Sequence, residues 1–306
     1  MRLENKVAII TGGAAGIGAS MCKLFASEGA KVIAVDMADA LSYEDERVEF
    51  YKLNVTDSLG CKVLCEYVIE KYGKIDILVN NIGICNDTSL EEKTVQDFKN
   101  IIDVNLTGTF MLSKYIKEVM NNGSILNITS TNGIDTYYPE SIDYDASKAG
   151  VVSLTHNLAR EFAPHILVNC VCPGWVKTDM NKDLSIEQIN EERKNILVGR
   201  FAESEEIAKV IKFLCSDDAS YINDSIIEDL NNTRKQLQIK DNQILQMQSI
   251  KTEISTKDSI FIKDTIFRDN FVKLDTVISD KWHTVAVSLQ PNRITIDDKY
   301  RSDLNV

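Results

Sequence analysis

The first 227 residues alternate short runs of β-branched residues with longer segments in which apolar residues recur at helical spacing. The short runs are bounded by turn residues and predict strands at 6–13, 31–36, 48–55, 74–81, 123–130 and 166–174. The helical spacing occurs at 57–72, 95–120, 145–163 and 203–216. Such alternation indicates a parallel sheet covered on both faces, and right-handed crossovers make it a doubly wound, Rossmann-type α/β fold. A seventh strand is predicted at 220–227.

The pattern changes near residue 228. All 14 glycines lie at or before Gly199, and the last cysteine is Cys215. Apolar residues then recur seven positions apart at Leu230, Leu237 and Ile244, and again at Met247 and Ile254. This spacing predicts an amphipathic helix that either forms a short coiled coil or packs on the rest of the chain. Alternating apolar residues on both sides of "QPN" predict a β-hairpin farther on. We therefore expect a main domain at 1–227 and an appended segment at 228–306.

The net charge of −12 is unevenly distributed. Residues 226–306 hold as many basic as acidic side chains, so the first 225 residues carry the whole excess. An acidic surface disfavours nucleic acids and anionic membranes as partners. The chain contains no apolar run of about 20 residues that could span a membrane, and its first residues lead directly into a strand without a signal-peptide pattern. We therefore expect a cytoplasmic protein.

The seven cysteines have neither a disulfide-framework spacing nor a metal-ligand spacing. Cys61 and Cys65 are one helical turn apart, but no second pair or histidine cluster accompanies them. Reduced thiols in the core are a better interpretation than a metal site, and we expect no bound metal.

A glycine-rich turn follows the first predicted strand, in the segment "TGGAAGIG" from Thr11 to Gly18. Small residues between a strand and a helix allow a pyrophosphate to lie against backbone N–H groups, although such turns also serve only to pack a helix on a strand. The next predicted strand ends in Asp36, eighteen residues after Gly18. A carboxylate there can accept both ribose hydroxyls and repels a 2′-phosphate, which predicts NAD rather than NADP; the alternative is a solvated aspartate at a strand end.

The spacing Gly-x-x-x-Gly-x-Gly resembles that of the short-chain dehydrogenase/reductase family. Five further segments resemble family landmarks in the same order, namely "NNIG" at 80–83, "IIDVNLTGTF" at 101–110, "GSILNITSTNG" at 123–133, "YDASK" at 144–148 and "NCVCPGWVKTDM" at 169–180. The resemblance covers residues 1–227. A Tyr-x-x-x-Lys pair alone arises easily by chance, whereas the ordered set is a strong signal.

The resemblance implies an NAD-dependent oxidoreductase that moves a hydride between nicotinamide and a secondary alcohol or ketone. It places the catalytic roles on Ser130, Tyr144, Lys148 and Asn105. It places the cofactor contacts on Gly12, Gly16, Ile17, Gly18, Asp36, Asn54, Val55, Asn81, Gly83, Tyr144, Lys148, Pro173, Gly174, Val176 and Thr178. It also implies a small-molecule substrate and a homo-oligomer, either a dimer or a tetramer.

Oxidation of an alcohol requires Tyr144 to act as a base that accepts the proton of the substrate hydroxyl group. A free tyrosine has a pKa near 10, and moving it to about 7 requires roughly 4 kcal/mol. Lys148 lies one helical turn farther on, and an ammonium at about 4 Å in an effective dielectric of about 20 supplies roughly that much. Ser130 is expected to orient the substrate oxygen, and Asn105 to hold a water beside Lys148. Taken singly, these residues could equally be a surface helix pair and a strand-end hydroxyl.

Two residues depart from the family pattern inside the cofactor segments. Asn54 stands where the family commonly has aspartate, and Ile82 replaces an alanine. Substrate recognition is expected in the variable stretches 84–97, 134–143 and 180–198, the last of which predicts a helical lid.

Three functions stay open at this point. The first is oxidation of a sugar, polyol or hydroxysteroid with NAD. The second is reduction of a 3-oxoacyl group on an acyl-carrier protein, against which the acidic body and the absence of an NADPH signature both weigh. The third belongs to another class, an NAD-binding scaffold whose segment 228–306 mediates protein interaction.

Overall fold

The computed structural model describes residues 1–135, 138–182 and 184–228, together with four later strands. Contacts divide the chain into two compact units, Met1–Thr233 and Arg234–Val306. The boundary expected at residue 228 stays a prediction.

The first unit is a seven-stranded parallel sheet flanked by helices, which confirms the predicted doubly wound fold. Its strands are β1 (Val7–Thr11), β2 (Lys31–Asp36), β3 (Val48–Lys52), β4 (Ile77–Asn80), β5 (Gly123–Ile128), β6 (Ile166–Cys172) and β7 (Ile226–Glu228). Its helices are α1 (Gly16–Ser27), α2 (Ser58–Tyr72), α3 (Val95–Ile102), α4 (Gly108–Val119), α5 (Ile142–Phe162), α6 (Ile186–Asn195) and α7 (Ser204–Leu214).

Apolar side chains fill a layer on each face of the sheet. Ile9 of β1 and Ile33 of β2 pack with α2, α4 and α5 on one face of the sheet. Ala8 and Ile10, on either side of Ile9 in β1, pack with α1 and α7 on the other face. Successive residues of a strand point to opposite faces, so a strand covered on both sides must be apolar at every position. This requirement explains why β1 is buried along its whole length.

The strand order places the candidate site. The sheet runs β3-β2-β1-β4-β5-β6-β7, so the chain winds outward in one direction from β1 and in the other from β4. A crevice opens at the carboxyl ends of the strands where the winding reverses, and open α/β sheets bind ligands there. The glycine-rich turn follows β1 and "NNIG" begins at the end of β4, so both lie at this crevice.

The helical segment predicted at 95–120 contains a turn of π-helix. The turn spans Asp103–Thr107, between α3 and α4, and Asn105 lies at its centre. Such bulges are uncommon and are often found at functional sites.

The seventh strand begins six residues later than predicted. Asp224 has a φ of +61°, which breaks the extended conformation expected across 220–227. The loop before β7 is instead tied to β6 through its polar groups: Val168 N donates to Asn223 Oδ1 at 2.8 Å, and Asp224 N donates to Val168 O at 3.0 Å.

The second unit contains an antiparallel sheet in the order β11-β10-β9-β8. Its strands are β8 (Thr265–Arg268), β9 (Phe271–Ser279), β10 (His283–Gln290) and β11 (Arg293–Tyr300). β10 and β11 pair with Val287 opposite Ile296 and Leu289 opposite Ile294. The predicted amphipathic helix falls on residues 229–264, outside the described residues.

Candidate functional site

The glycine-rich turn leaves no room for a side chain at Gly12 or Gly18. Gly12 and Gly16 have φ values of +64° and +55°, a region that L side chains rarely adopt. A Cβ on Gly18 would lie 1.8 Å from the carbonyl oxygen of Gly12, and a Cβ on Gly12 would lie 2.7 Å from Nδ2 of Asn81. The first turn of α1 has neither a side-chain cap nor an acidic residue. Its backbone N–H groups and positive end are therefore available to an anion.

Thr11 and Asn81 join the ends of β1 and β4. Thr11 Oγ1 accepts hydrogen bonds from the backbone N–H groups of Asn81 and Ile82, at 3.0 and 3.1 Å. Asn81 Nδ2 donates to the carbonyl oxygen of Thr11 at 2.9 Å. These bonds fix the path of the chain toward Gly83 at the floor of the crevice.

Asp36 ends β2 directly beside the glycine-rich turn. Its Oδ2 accepts from the backbone N–H of Ala14 at 3.2 Å, and its Oδ1 accepts from that of Ala38 at 3.1 Å. The nearby ammonium of Lys52 bonds to Asp39 at 2.6 Å instead. The Asp36 carboxylate is thus fixed beside the glycine-rich turn, and its contact with a ribose stays a prediction.

The remaining predicted cofactor residues surround the same crevice. Asn54 uses its amide oxygen to cap its own turn, accepting from Thr56 N and Oγ1 at 3.0 and 2.9 Å. Val55 is buried against Gly108, where a Cβ would lie 2.8 Å from Cγ2 of the valine. The Thr178 methyl group lies 3.5 Å from the place of a Cβ on Gly16, so the segment after β6 reaches the glycine-rich turn.

The segment after β6 is itself held by backbone contacts. Pro173 O accepts from Thr131 N at 3.1 Å, which ties it to the loop after β5. Val176, two residues after Gly174, forms a parallel bridge with Ala202.

Ser130, Tyr144 and Lys148 come together at the carboxyl ends of β4 and β5. Ser130 follows β5, and the other two lie one turn apart at the start of α5. The Lys148 side chain is buried, and its Nζ donates to the carbonyl oxygen of Ile128 at 3.0 Å. Nζ also lies 5.5 Å from the centre of the Tyr144 ring. The structure therefore brings Ser130, which follows β5, next to Tyr144 and Lys148 on α5.

Burial controls the titration of this group. It raises the pKa of the Tyr144 phenol above its ordinary value, and the nearby Cys85 thiol acts in the same direction. A hydrogen bond with the Ser130 hydroxyl lowers the same pKa without offsetting the burial. Burial lowers the pKa of Lys148 to about 8. Lys148 was expected to bring the Tyr144 pKa toward neutrality; in this structure desolvation has the opposite and larger effect, so the phenol keeps its proton at neutral pH.

Asn105 braces the site from the π-helical turn. Its Oδ1 accepts from Ile84 N at 2.8 Å, and its Nδ2 donates to Ile84 O at 2.9 Å and to Ser147 Oγ at 3.0 Å. A Cβ on Gly83 would lie 3.0 Å from Lys148 Nζ and 3.6 Å from Asn105 Oδ1. A glycine at this position therefore avoids crowding the Lys148 ammonium.

Side chains that were not among the predicted site residues are hydrogen-bonded to one another beside Ser130. Ser130 Oγ donates to Asn132 Oδ1 at 3.3 Å, Asn132 Nδ2 donates to Asp145 Oδ1 at 2.7 Å, and Tyr138 N donates to Asp145 Oδ2 at 3.2 Å. Asp145 lies within the "YDASK" segment, but its spacing gave no sign that it would face the loop after β5. This chain of bonds links Ser130 to the aromatic residues at the mouth.

The predicted lid helix is α6, and one carboxylate connects it to the body. Glu192 Oε2 accepts from Trp175 Nε1 at 2.9 Å and from the Tyr138 hydroxyl at 3.2 Å. Trp175 stacks on Phe201 with ring centres 5.3 Å apart. α6 has no buried residue, so these two bonds are a large part of its attachment.

All seven cysteines are free thiols, and six are buried, as expected for core residues. Within residues 1–135, 138–182 and 184–228, no group of three or more metal-ligating side chains converges. The helices of the described part of the chain are all too short or too polar to cross a membrane.

Comparison with known proteins agrees with this geometry. Residues 12–228 match the family model described as enoyl-(acyl carrier protein) reductase. The chain is 43% identical over 239 residues to the 3-oxoacyl-[acyl-carrier-protein] reductase FabG of Thermotoga maritima, a match that covers 74% of this chain and 97% of that protein. It is 37% identical over 231 residues to the FabG of Vibrio cholerae, covering 72% and 94%.

Solved structures of proteins described as sugar dehydrogenases share this architecture. The ligand-free aldohexose dehydrogenase of Thermoplasma acidophilum superposes with a TM-score of 0.70 at 29% identity, covering 74% of this chain and 92% of that one. A glucose/ribitol dehydrogenase of Brucella melitensis gives 0.71 at 30%, covering 74% and 96%. Fold, ordered motifs and relatives agree: the chain belongs to the short-chain dehydrogenase/reductase family and is an oxidoreductase.

Proposed function

We propose that this protein uses NADH to reduce the 3-oxo group of an acyl thioester to a hydroxyl group. The observation that carries the proposal is the buried Tyr144 phenol beside the Ser130 hydroxyl, with the Lys148 ammonium behind it. Burial raises the pKa of Tyr144, so this residue carries its proton at neutral pH. Proton donation is the direction that ketone reduction requires. The curated relatives, which are 3-oxoacyl-[acyl-carrier-protein] reductases, support the substrate class.

The residues of the crevice fit a nicotinamide dinucleotide. Gly12 and Gly16 have positive φ values, Gly18 lies against the Gly12 carbonyl oxygen, and the uncapped start of α1 follows this compact turn. Those N–H groups would hold the pyrophosphate, and Asp36 would accept hydrogen bonds from the adenosine ribose hydroxyls. The bound cofactor supplies the hydride that the carbonyl carbon receives.

Asp36 supports NADH over NADPH. A 2′-phosphate on the ribose would place its negative charge beside this carboxylate, and like charges in close contact cost several kcal/mol. A short-chain dehydrogenase of Burkholderia cenocepacia was solved with NADP, so the fold by itself does not exclude a 2′-phosphate. The preference in this chain therefore depends on its own Asp36.

Ser130, Tyr144 and Lys148 have different roles at the substrate oxygen. Ser130 donates a hydrogen bond that orients the carbonyl and favours the negative charge developing on its oxygen. Tyr144 transfers its phenolic proton to the same oxygen. Lys148 stabilises the phenolate left on Tyr144, because the opposite charges attract across the short distance between its Nζ and the Tyr144 ring. Asn105 holds the backbone of Ile84 and the hydroxyl of Ser147 in place around them.

A sugar or polyol dehydrogenase is the second candidate, and the mouth of the site favours it. Glu192 presents a carboxylate between Tyr138 and Trp175, an arrangement suited to a neutral, hydroxyl-bearing substrate. The acidic body of the chain also disfavours an acidic carrier protein. An NAD-binding scaffold is the third candidate, but packing alone does not require Ser130, Tyr144 and Lys148 to meet.

One panel of reactions separates these functions. The purified chain is mixed with NADH or NADPH and acetoacetyl-coenzyme A or a 3-oxoacyl carrier protein, and with NAD and a set of aldohexoses and polyols, while NADH absorbance is followed. We expect consumption of NADH with the thioesters. Reaction with the sugars alone would support the second candidate, and cofactor binding without any turnover would support the scaffold.

A further inference from the structure

A buried ion pair joins the wall of the site to the helix that carries Tyr144. The Lys93 ammonium lies 2.9 Å from both carboxylate oxygens of Asp143, and the two side chains are only 3% and 0% exposed. Lys93 precedes α3, and Asp143 lies in the first turn of α5, fifty residues later. Neither residue belongs to the set that moves the proton.

Every donor of the Lys93 ammonium is used. Two N–H groups bond to the Asp143 carboxylate, and the third donates to the carbonyl oxygen of Asn86 at 2.6 Å. An ammonium has three donors and no acceptor, so this geometry satisfies it completely. A pair buried this deeply persists only with such geometry, because desolvation of the two charges is costly.

The ion pair also contacts the backbone of Tyr144. Asp143 Oδ1 also accepts from the backbone N–H of Tyr144 at 2.9 Å. This N–H is one of the first of α5 and has no partner within the helix. The carboxylate thereby fixes the backbone from which the phenol projects.

A second set of contacts runs parallel to the ion pair. Asp87 Oδ1 accepts from the Ser141 hydroxyl at 2.6 Å and from the Cys85 thiol at 3.0 Å, and Thr88 N donates to Glu140 O at 3.2 Å. These bonds press the segment after β4 against the start of α5. They also bring Cys85 close enough to Tyr144 to affect its titration.

We infer that Lys93 and Asp143 are a positioning pair, which places the Tyr144 phenol between Ser130 and Lys148 and joins the segment 84–93 to the active-site helix. The inference rests on the proposed role of Tyr144 as the proton donor. Buried ion pairs are seldom the most stable solution for a core, and well-packed apolar residues of similar volume often replace them without loss of stability. A pair that serves only the fold should therefore be replaceable without effect on the reaction.

The test uses the full chain with both residues replaced, Lys93→Met together with Asp143→Leu. The double variant leaves no unpaired buried charge, so it is expected to fold with a melting temperature close to that of the parent and to bind NADH equally well. Displacement of a reacting group by about 1 Å costs up to about 100-fold in rate. We therefore expect kcat for the 3-oxo thioester to fall roughly 10- to 100-fold, with a smaller change in KM.

A matched control replaces an ion pair far from the site. Lys212 and Glu28 are joined at 2.9 Å, with side chains about one fifth exposed, at the far ends of α7 and α1. Lys212→Met with Glu28→Leu should leave kcat unchanged.

A titration of the Tyr144 phenol distinguishes a change in its position from a general loss of structure. The phenolate absorbance of each protein is titrated and compared with that of the same protein carrying Tyr144→Phe, which isolates the Tyr144 pKa. The charged or titratable groups around this phenol are Lys148 and Asp145 on its own helix, and Cys85 and Asp87 on the segment after β4; the Ser130 hydroxyl faces it from the loop after β5. We expect the double variant to shift the Tyr144 pKa, because the phenol moves relative to these groups.

The outcomes separate this inference from the proposed function. If the parent reduces the thioester and the double variant retains both its kcat and the Tyr144 titration, the pair is purely structural and the inference is wrong. If the parent does not reduce the thioester, the proposed function fails. In that case the absorbance titration still decides whether the pair positions Tyr144. A double variant that does not fold also overturns the inference, since the pair would then be required for the fold itself.

Discussion

The Lys148 ammonium donates a hydrogen bond to the carbonyl oxygen of Ile128, 3.0 Å away, inside the protein and one helical turn from Tyr144. Burial lowers the pKa of this lysine to about 8, so it is still mostly charged at neutral pH but close to losing its proton. The backbone carbonyl holds the charge where the departing proton of Tyr144 would leave a phenolate.

The buried lysine makes the stability of the protein depend on pH. Below about pH 8 the lysine is protonated in both the folded and the unfolded chain, whereas between about 8 and 10.5 only the unfolded chain keeps the proton. The unfolded state then binds more protons, so stability rises with pH across this window. Between about pH 7 and about pH 9, the free energy of unfolding should rise by about 1 kcal/mol more in the parent than in Lys148→Met. Urea unfolding at both pH values measures this difference. An equal rise in the free energy of unfolding in the parent and in Lys148→Met would contradict the assignment.

Asp36 should control the choice of cofactor. Asp36→Ala removes the negative charge that a 2′-phosphate would face, so the ratio of kcat/KM for NADPH to that for NADH should rise about tenfold or more. Asp39→Ala is the control, because this exposed carboxylate lies three residues farther on and pairs with Lys52. A parent enzyme that already prefers NADPH would show that this interpretation of Asp36 is wrong.

Gly18 should tolerate no side chain. In Gly18→Ala the new Cβ would lie 1.8 Å from the carbonyl oxygen of Gly12, a backbone atom that cannot move aside. We expect a loss of about 1–3 kcal/mol or more in stability, together with weaker NADH binding. Gly60→Ala is the matched control within a helix, because its Cβ would meet only the flexible tips of Leu53 and Asp57, at 2.6 and 2.7 Å. Calorimetric melting and NADH fluorescence titration compare the two, and equal behaviour would contradict the backbone argument.

Glu192 should hold α6 over the mouth of the site. Glu192→Ala removes the acceptor shared by Tyr138 and Trp175, so KM for the substrate should rise about tenfold, with a smaller change in kcat. The neighbouring Glu191 is the natural control, because it forms only an exposed ion pair with Lys194. Steady-state kinetics of Glu192→Ala and Glu191→Ala decide the matter, and an identical KM in both variants would show that the two bonds do not hold the lid.

Much of the fold follows from periodicity alone. The alternation of strands and helices predicted the doubly wound sheet, and the glycine-rich segment predicted a turn between the first strand and the helix that follows it. Both depend on local rules, since strand and helix periods and backbone crowding are properties of short segments. The late start of β7 was missed because the positive φ of Asp224 is set by side-chain bonds to β6, which sequence periodicity does not encode.

The candidate site was predictable only where a motif carried it. Ser130, Tyr144 and Lys148 were found by resemblance, and the structure brings them together. Lys93, Asp143 and Glu192 were missed because their partners lie between 17 and 54 residues away, and no local pattern predicts such pairs. The direction of the Tyr144 pKa was also wrong, because an estimate from one charge pair omits the desolvation that burial brings.

The most direct test of the account is the rate of thioester reduction by Tyr144→Phe, measured with NADH binding to the same protein. The substitution removes only the phenolic hydroxyl, so NADH should bind with nearly the parent affinity. Loss of a positioned proton donor should lower kcat roughly 10²- to 10⁴-fold. A Tyr144→Phe protein that binds NADH and reduces the thioester at the parent rate would contradict the central claim.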